Sequence, residues 1–138
     1  MKVFALVLSL FTGSAFACSC SEWGTARQML RDYDVAFVGS YISSVIGGTT
    51  PDGDPMVTTN MAVLKGFKGT TSSKIVVRST PGDGANCGTN FITGQKYLVF
   101  SYKYRGRNYT DGCSYDVMQN TREQRSFLRA LEIASRSL

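Results

Sequence analysis

The sequence predicts a small, mainly β domain in which five strands close into a barrel, flanked by one helix near the N-terminus and one at the C-terminal end. Three observations predict it. Five separate runs are rich in β-branched and aromatic residues, segments dense in glycine, proline, asparagine and aspartate punctuate them, and helix-capping patterns stand outside the strand block at Thr25 and Thr121. The 138 residues suit one domain, and 43% hydrophobic with 18% charged residues is the composition of a chain that builds a core.

Thr25-Ala26-Arg27-Gln28 fits a capping box, with Met29, Leu30 and Tyr33 behind it, so a short helix is expected near 25–33. Val35–Val45 reads as the first strand, with Gly39 marking a bulge or bend. Gly47–Pro55 is packed with turn formers and is expected to be a loop. Met56–Lys65 is the second strand, stopped by Gly66-Phe67-Lys68-Gly69, and Lys74–Thr80 is the third. A glycine-rich loop follows at Pro81–Gly88. Lys96–Tyr104 is the strongest strand pattern in the chain, and Arg105-Gly106-Arg107-Asn108 turns it into Tyr109–Cys113 as a hairpin. Thr121-Arg122-Glu123-Gln124 opens a helix with Phe127, Leu131 and Ala134 on one face and Leu128 beside them. Five consecutive antiparallel strands hide their edges best by closing on themselves, which points to an OB-fold-like barrel; a flat sandwich is the other arrangement compatible with the pattern.

The chain has no histidine. That excludes Ser-His-Asp and Cys-His catalytic centres and any histidine-ligated metal. Residues 1–17 read as a secretory signal peptide: a basic Met1-Lys2, the apolar run Val3–Phe11, and small residues at Ala15 and Ala17 before cleavage. The run is about half the ~20 residues a membrane span needs, so no membrane association is expected. The single mature domain is then 18–138, secreted to an extracellular or periplasmic space. Lipidation of Cys18 is the rival reading of the leader, but Ala15 and bulky Phe16 fit it poorly.

Export places the four cysteines in an oxidising compartment. Cys18 and Cys20 are too close to bridge each other comfortably, so each is expected to pair with Cys87 or Cys113, in either of two connectivities. Closing loops of that length is worth roughly 4 kcal/mol each on the chain-entropy estimate. Both pin the extreme end of the mature chain, where fraying is the norm.

Most other features read as structure. Tyr97, Phe100, Tyr102, Tyr104 and Tyr109, with Lys103, Arg105 and Arg107, have the composition of a base-stacking surface, but alternate aromatics filling a barrel explain them better, and no nucleic-acid partner is expected. The mild net charge of +5 is compatible with an anionic polysaccharide. Pro81–Gly88 lacks phosphate-loop spacing. Asp52, Asp54, Asp83, Asp111 and Asp116 are scattered through loops and turns with no pair brought together by sequence. Asn108-Tyr109-Thr110 is a glycosylation sequon.

The Cys18-Ser19-Cys20 start is different. A free α-amine there has an ordinary pKa of about 7.7–8, so part of it is neutral near pH 7. That nitrogen and the Cys18 carbonyl oxygen can form a five-membered chelate on a metal. Disulfides at Cys18 and Cys20 would hold the chelate rigid, leaving little ordering entropy to lose on binding. A catalytic zinc keeps one open position for water, which such a chelate would occupy while Ser19 enters the adjoining pocket.

Cys18-Ser19-Cys20-Ser21 after a leader resembles the mature start of the tissue inhibitors of metalloproteinases. Leu64–Gly69, Asn86-Cys87-Gly88, Tyr97-Leu98-Val99, Cys113–Val117 and Thr121–Arg129 are similar to further stretches of that family, in order, over essentially all of 18–130. The resemblance implies a netrin-type OB-like module with pairing Cys18–Cys87 and Cys20–Cys113. It implies a non-enzymatic inhibitor of zinc metalloproteases, monomeric and without a cofactor or metal of its own. The Cys18 amine and carbonyl would sit on the target's zinc, with Ser19 toward its specificity pocket. Cys20 and Ser21 would continue through the cleft, and Ala85, Asn86 and Cys87 would form the neighbouring edge. The alternative it allows is a netrin-type module that binds a protein or polysaccharide surface. This sequence departs from the family at Leu30, about where a third disulfide begins, at Glu22 in place of a frequent proline, in the Gly47–Pro55 loop, and in having no counterpart to the cysteine-rich second domain.

Overall fold

The computed structural model describes residues 18–83 and 86–138; the expected leader, 1–17, lies outside them. Helix α1 (Ala26–Asp32) begins where the capping pattern put it, with Thr25 Oγ1 accepting the Gln28 N–H at 3.3 Å. It ends at Tyr33, where the Lys68 ammonium donates to the Leu30 and Tyr33 carbonyls at 2.6 Å each, satisfying acceptors that a helix end leaves open.

Strands β1 (Val35–Thr49), β2 (Pro55–Lys68), β3 (Lys74–Ser79), β4 (Lys96–Tyr104), β5 (Arg107–Tyr109) and β6 (Tyr115–Val117) form one sheet in the order β1-β2-β3-β5-β4-β6. A further β1–β4 pairing, from Val35↔Ser101 to Ser40↔Lys96, joins the first five strands into a ring, with β6 added beside β4. The ring is not wholly antiparallel: β3 and β5 pair in parallel through Val77↔Asn108 and Arg78↔Tyr109. That departs from the expected run of antiparallel neighbours: β4 pairs antiparallel with β1 rather than β3, so β5, antiparallel to β4, runs in the same direction as β3.

The β1–β2 hairpin is longer than expected. Pairing continues to Thr49↔Pro55, so the turn occupies only 50–54. Thr50 organises it by exchanging backbone hydrogen bonds with the 53–54 segment, while Gly53 supplies a φ of +88°. Cross-strand bonds such as Ser44 Oγ to Thr59 Oγ1 (2.9 Å) offset the weak strand preference of Gly47 and Gly48. β2 likewise runs through Gly66 to Lys68. The expected strand at Tyr109–Cys113 is instead β5, because Arg105 (φ +50°) and Gly106 (φ +74°) make a two-residue turn with both central residues left-handed.

Two apolar clusters share the sheet. Val35, Phe37, Met61, Val77, Tyr97 and Val99 are buried on one face, and Ala36, Val38, Leu98 and Phe100 on the other, where α1 and helix α2 (Arg122–Ser135) cover them with Met29, Leu30 and Leu131. β1 and β4 therefore bury both faces over their shared length, which is why they read as nearly continuous hydrophobic runs. α2 starts at its predicted cap: Thr121 Oγ1 accepts the Gln124 N–H at 3.1 Å, and the Gln124 side chain reaches back to the N–H groups of Gln119 and Asn120.

Candidate functional site

The cysteines pair Cys18–Cys87 and Cys20–Cys113, with Cα atoms 5.1 and 5.3 Å apart, and none is free. The segment from Cys18 to Gly24, which leads into α1 and has no regular secondary structure, is thus tied at two points to the loop before β4 and to the turn after β5. Trp23 supplies a third tie. Its Nε1 donates to the Cys113 carbonyl at 2.7 Å, and its ring meets Phe100 edge-on at 5.1 Å and Phe127 at 5.8 Å. Ser19, Cys20, Ser21 and Glu22, between these anchors, are exposed.

The loop that receives Cys18 is held from within. Its base is closed by a Pro81–Thr89 bridge, with Gly82 N–H on Thr89 O at 3.0 Å and Thr89 N–H on Thr80 O at 2.9 Å. Asn86 Oδ1 accepts the N–H groups of Asp83 (3.2 Å) and Gly88 (3.1 Å), and Asn86 Nδ2 donates to Pro81 O at 2.9 Å. The Asn86 amide is therefore occupied in shaping the loop beneath Cys87, although the residue is exposed. Ala85 lies outside the described residues.

The turn that receives Cys20 is built by Asp111. Its Oδ1 accepts from Cys113 N–H at 2.8 Å and from Ser114 Oγ at 2.9 Å. With the Ser114 proton spent there, Tyr33 OH donates to Ser114 Oγ at 2.9 Å, linking the turn to the end of α1. Loop and turn meet through Gly112, whose N–H donates to Cys87 O at 2.6 Å. A Cβ on Gly112 would stand 2.6 Å from Gly88 O and 3.1 Å from Cys87 O, so only glycine allows the two backbones this close.

An open cleft lies on each side of this assembly. One, of ≈ 740 Å³, is bordered by Ser19–Gly24, Tyr33, Tyr102 and Cys113; the other, of ≈ 520 Å³, lies among Asp54, Pro81, Asn86 and Cys87. Burial, with added repulsion from Asp111 and Asp52, raises the Tyr102 phenol above its usual range, so it faces the first cleft as a neutral hydroxyl.

Of the residues singled out from sequence, Cys18, Ser19, Cys20, Ser21, Asn86 and Cys87 come together here. The aromatic run divides: Tyr97, Phe100 and Tyr109 are buried, while Tyr102 and Tyr104 are 42% and 43% exposed, with Arg105 over the Tyr104 ring at 5.3 Å. Trp23, Asp111, Gly112 and Tyr33 were missed as parts of the site. The Asp111-Gly112 dipeptide was a legible turn signal beside a cysteine; nothing in the sequence connects Trp23 to Cys113. No protein-family profile matches the chain, and no curated protein matches it either.

Proposed function

We propose that this chain is a secreted inhibitor of zinc metalloendopeptidases that acts through the amine and carbonyl of Cys18 once a leader ending at Ala17 is removed. The observation that carries the proposal is the double fastening of an exposed N-terminal segment, Cys18 to Cys87 and Cys20 to Cys113, with Ser19 exposed between the anchors. A segment meant only to close the fold has no need of two crosslinks within three residues and an outward face. A ligand meant to enter another protein's active site does, because rigidity removes the entropy that a loose terminus would lose on binding. The α-amine nitrogen and the carbonyl oxygen would take two positions on the target's zinc, displacing its water. Ser19 would enter the pocket beside the metal, and the Cys87 loop with Asn86 would brace the adjoining edge. The resemblance to the tissue inhibitors of metalloproteinases supports the same reading, including an OB-like barrel of netrin type for the five-strand ring.

A second reading is a netrin-type module that binds an anionic polysaccharide. The exposed β4–β5 hairpin, with Tyr104 under Arg105 and with Arg107 beside it, favours that reading. Ser19→Arg separates the two. It puts a long charged side chain where a specificity pocket must accept a small one, so inhibition of zinc endopeptidases is lost while the melting temperature stays that of the wild type and heparin retention is not reduced. Inhibition that survives Ser19→Arg contradicts the mechanism. Inhibition also weakens as pH falls below about 7.7–8, because a protonated amine cannot ligate zinc.

A further inference from the structure

The two disulfides are in contact. Cys18 Sγ stands 3.7 Å from Cys113 Sγ and 4.0 Å from Cys20 Sγ, although neither is its bonded partner. The sulfurs of Cys18, Cys20 and Cys113 all lie within 4.8 Å of one another, and Cys87 is bonded to the first of them. In a tetrahedral zinc–thiolate site, zinc–sulfur bonds of about 2.3 Å put neighbouring sulfurs about 3.8 Å apart. The two non-bonded contacts already have that spacing.

We propose that opening both disulfides converts this cluster into a four-thiolate site for zinc or a similar thiophilic divalent cation. The inference rests on the sulfur geometry alone and not on the inhibitory reading, in which Cys18 offers nitrogen and oxygen to another protein's metal. Cys87 and Cys113 are held together without the S–S bonds by Gly112 N–H on Cys87 O at 2.6 Å and Cys113 N–H on Asp111 Oδ1 at 2.8 Å, and Trp23 Nε1 on Cys113 O at 2.7 Å keeps the segment that carries Cys18 and Cys20 beside them. Side-chain rotation, with the Cys18–Glu22 segment following its two thiols, then spreads each formerly bonded pair around a cation. Cys20 and Cys87 are exposed, so a reductant reaches one sulfur of each bridge.

The chemistry balances with a phosphine as reductant. For each bridge the S–S bond breaks, the phosphine is oxidised to its oxide with the oxygen of one water, and the two protons of that water end on the two thiols. A divalent cation then binds four thiolates and releases four protons.

The test reduces the purified protein with a water-soluble phosphine under anaerobic conditions, removes the phosphine, and titrates with Co²⁺, which reports ligand type by its spectrum, and then with Zn²⁺. The expected result is one cobalt per chain, with thiolate charge-transfer and tetrahedral bands that the oxidised protein does not give and that zinc abolishes. Cys20→Ser in the reduced state should weaken cobalt binding by about tenfold or more, as expected for a lost sulfur ligand. The zinc-loaded chain should recover the far-ultraviolet circular dichroism of the oxidised protein. Cobalt binding that is absent, substoichiometric or equal in the oxidised protein overturns the proposal. So does binding unaffected by Cys20→Ser, or binding by a reduced chain that stays unfolded when loaded.

Discussion

Replacing Trp23 by alanine removes three contacts at once: the Nε1–H bond to Cys113 O, the edge-on packing against Phe100, and the tilted contact with Phe127. A fully buried tryptophan costs about 3–5 kcal/mol when truncated, and Trp23 is only half-buried, so the ring contributes toward the low end. The orphaned Cys113 carbonyl adds about 1 kcal/mol. Trp23→Ala is therefore expected to destabilise the fold by about 3–4 kcal/mol, and Trp23→Phe, which keeps a ring but loses the donor, by about 1–2 kcal/mol. For a domain of this size each kcal/mol moves the melting temperature by about 3–5 °C, so the two variants should melt about 9–20 °C and about 3–10 °C below the wild type. Thermal unfolding followed by far-ultraviolet circular dichroism reads both, with the disulfides intact. A Trp23→Ala variant within 1 kcal/mol of wild type would refute the anchoring role, since ~1 kcal/mol is the size of the single hydrogen bond. Equal losses for Phe and Ala would refute the assignment of most of the effect to the ring.

Gly112→Ala drives a methyl into Gly88 O and should cost about 2–3 kcal/mol; Gly47→Ala, whose Cβ meets nothing within 4 Å, should stay within about 0.5 kcal/mol of wild type in urea unfolding. The Lys65 ammonium, 2.9 Å from Glu132 Oε2, holds that carboxyl below its usual 4.5. Its contribution is thus fully present above pH 4.5 and is lost as pH falls through the lower folded value; Lys65→Met should flatten this acid limb in urea midpoints measured against pH. Burial raises the Tyr97 phenol above 10.0, so the unfolded chain ionises first and stability falls as pH rises past 10.0. Tyr97→Phe should weaken that alkaline dependence, as read by unfolding midpoints in alkaline buffers.

The elements that packing buries were the legible ones. β1 and β4 announced themselves because Val35–Val38 and Tyr97–Phe100 are buried on both faces, and both helices because Thr25 and Thr121 cap them as the pattern requires. What escaped is what only partners specify. β6 is three residues long and exists by pairing with β4, and residues 46–49 stay extended because β2 lies alongside them. The parallel β3–β5 contact depends on chain geometry over more than 25 residues, where local pattern says nothing. At the site, cysteine spacing narrowed the pairing to two choices; the Gly112–Cys87 contact brings Cys87 and Cys113 side by side, and local pattern does not say which of them takes Cys18. Trp23 joins the site through a carbonyl 90 positions away, a relation no periodicity carries.

The central claim is that a free amine on Cys18 is the working group. It is tested most directly by comparing two proteins of identical fold, one beginning at Cys18 and one carrying a single alanine before it, in inhibition titrations against a panel of zinc metalloendopeptidases. Intact mass should first show both disulfides formed in each. The account predicts that the protein beginning at Cys18 inhibits, and that the extended one does not, because an amide nitrogen replaces the chelating amine. Equal inhibition by the two proteins, or none by either, contradicts it.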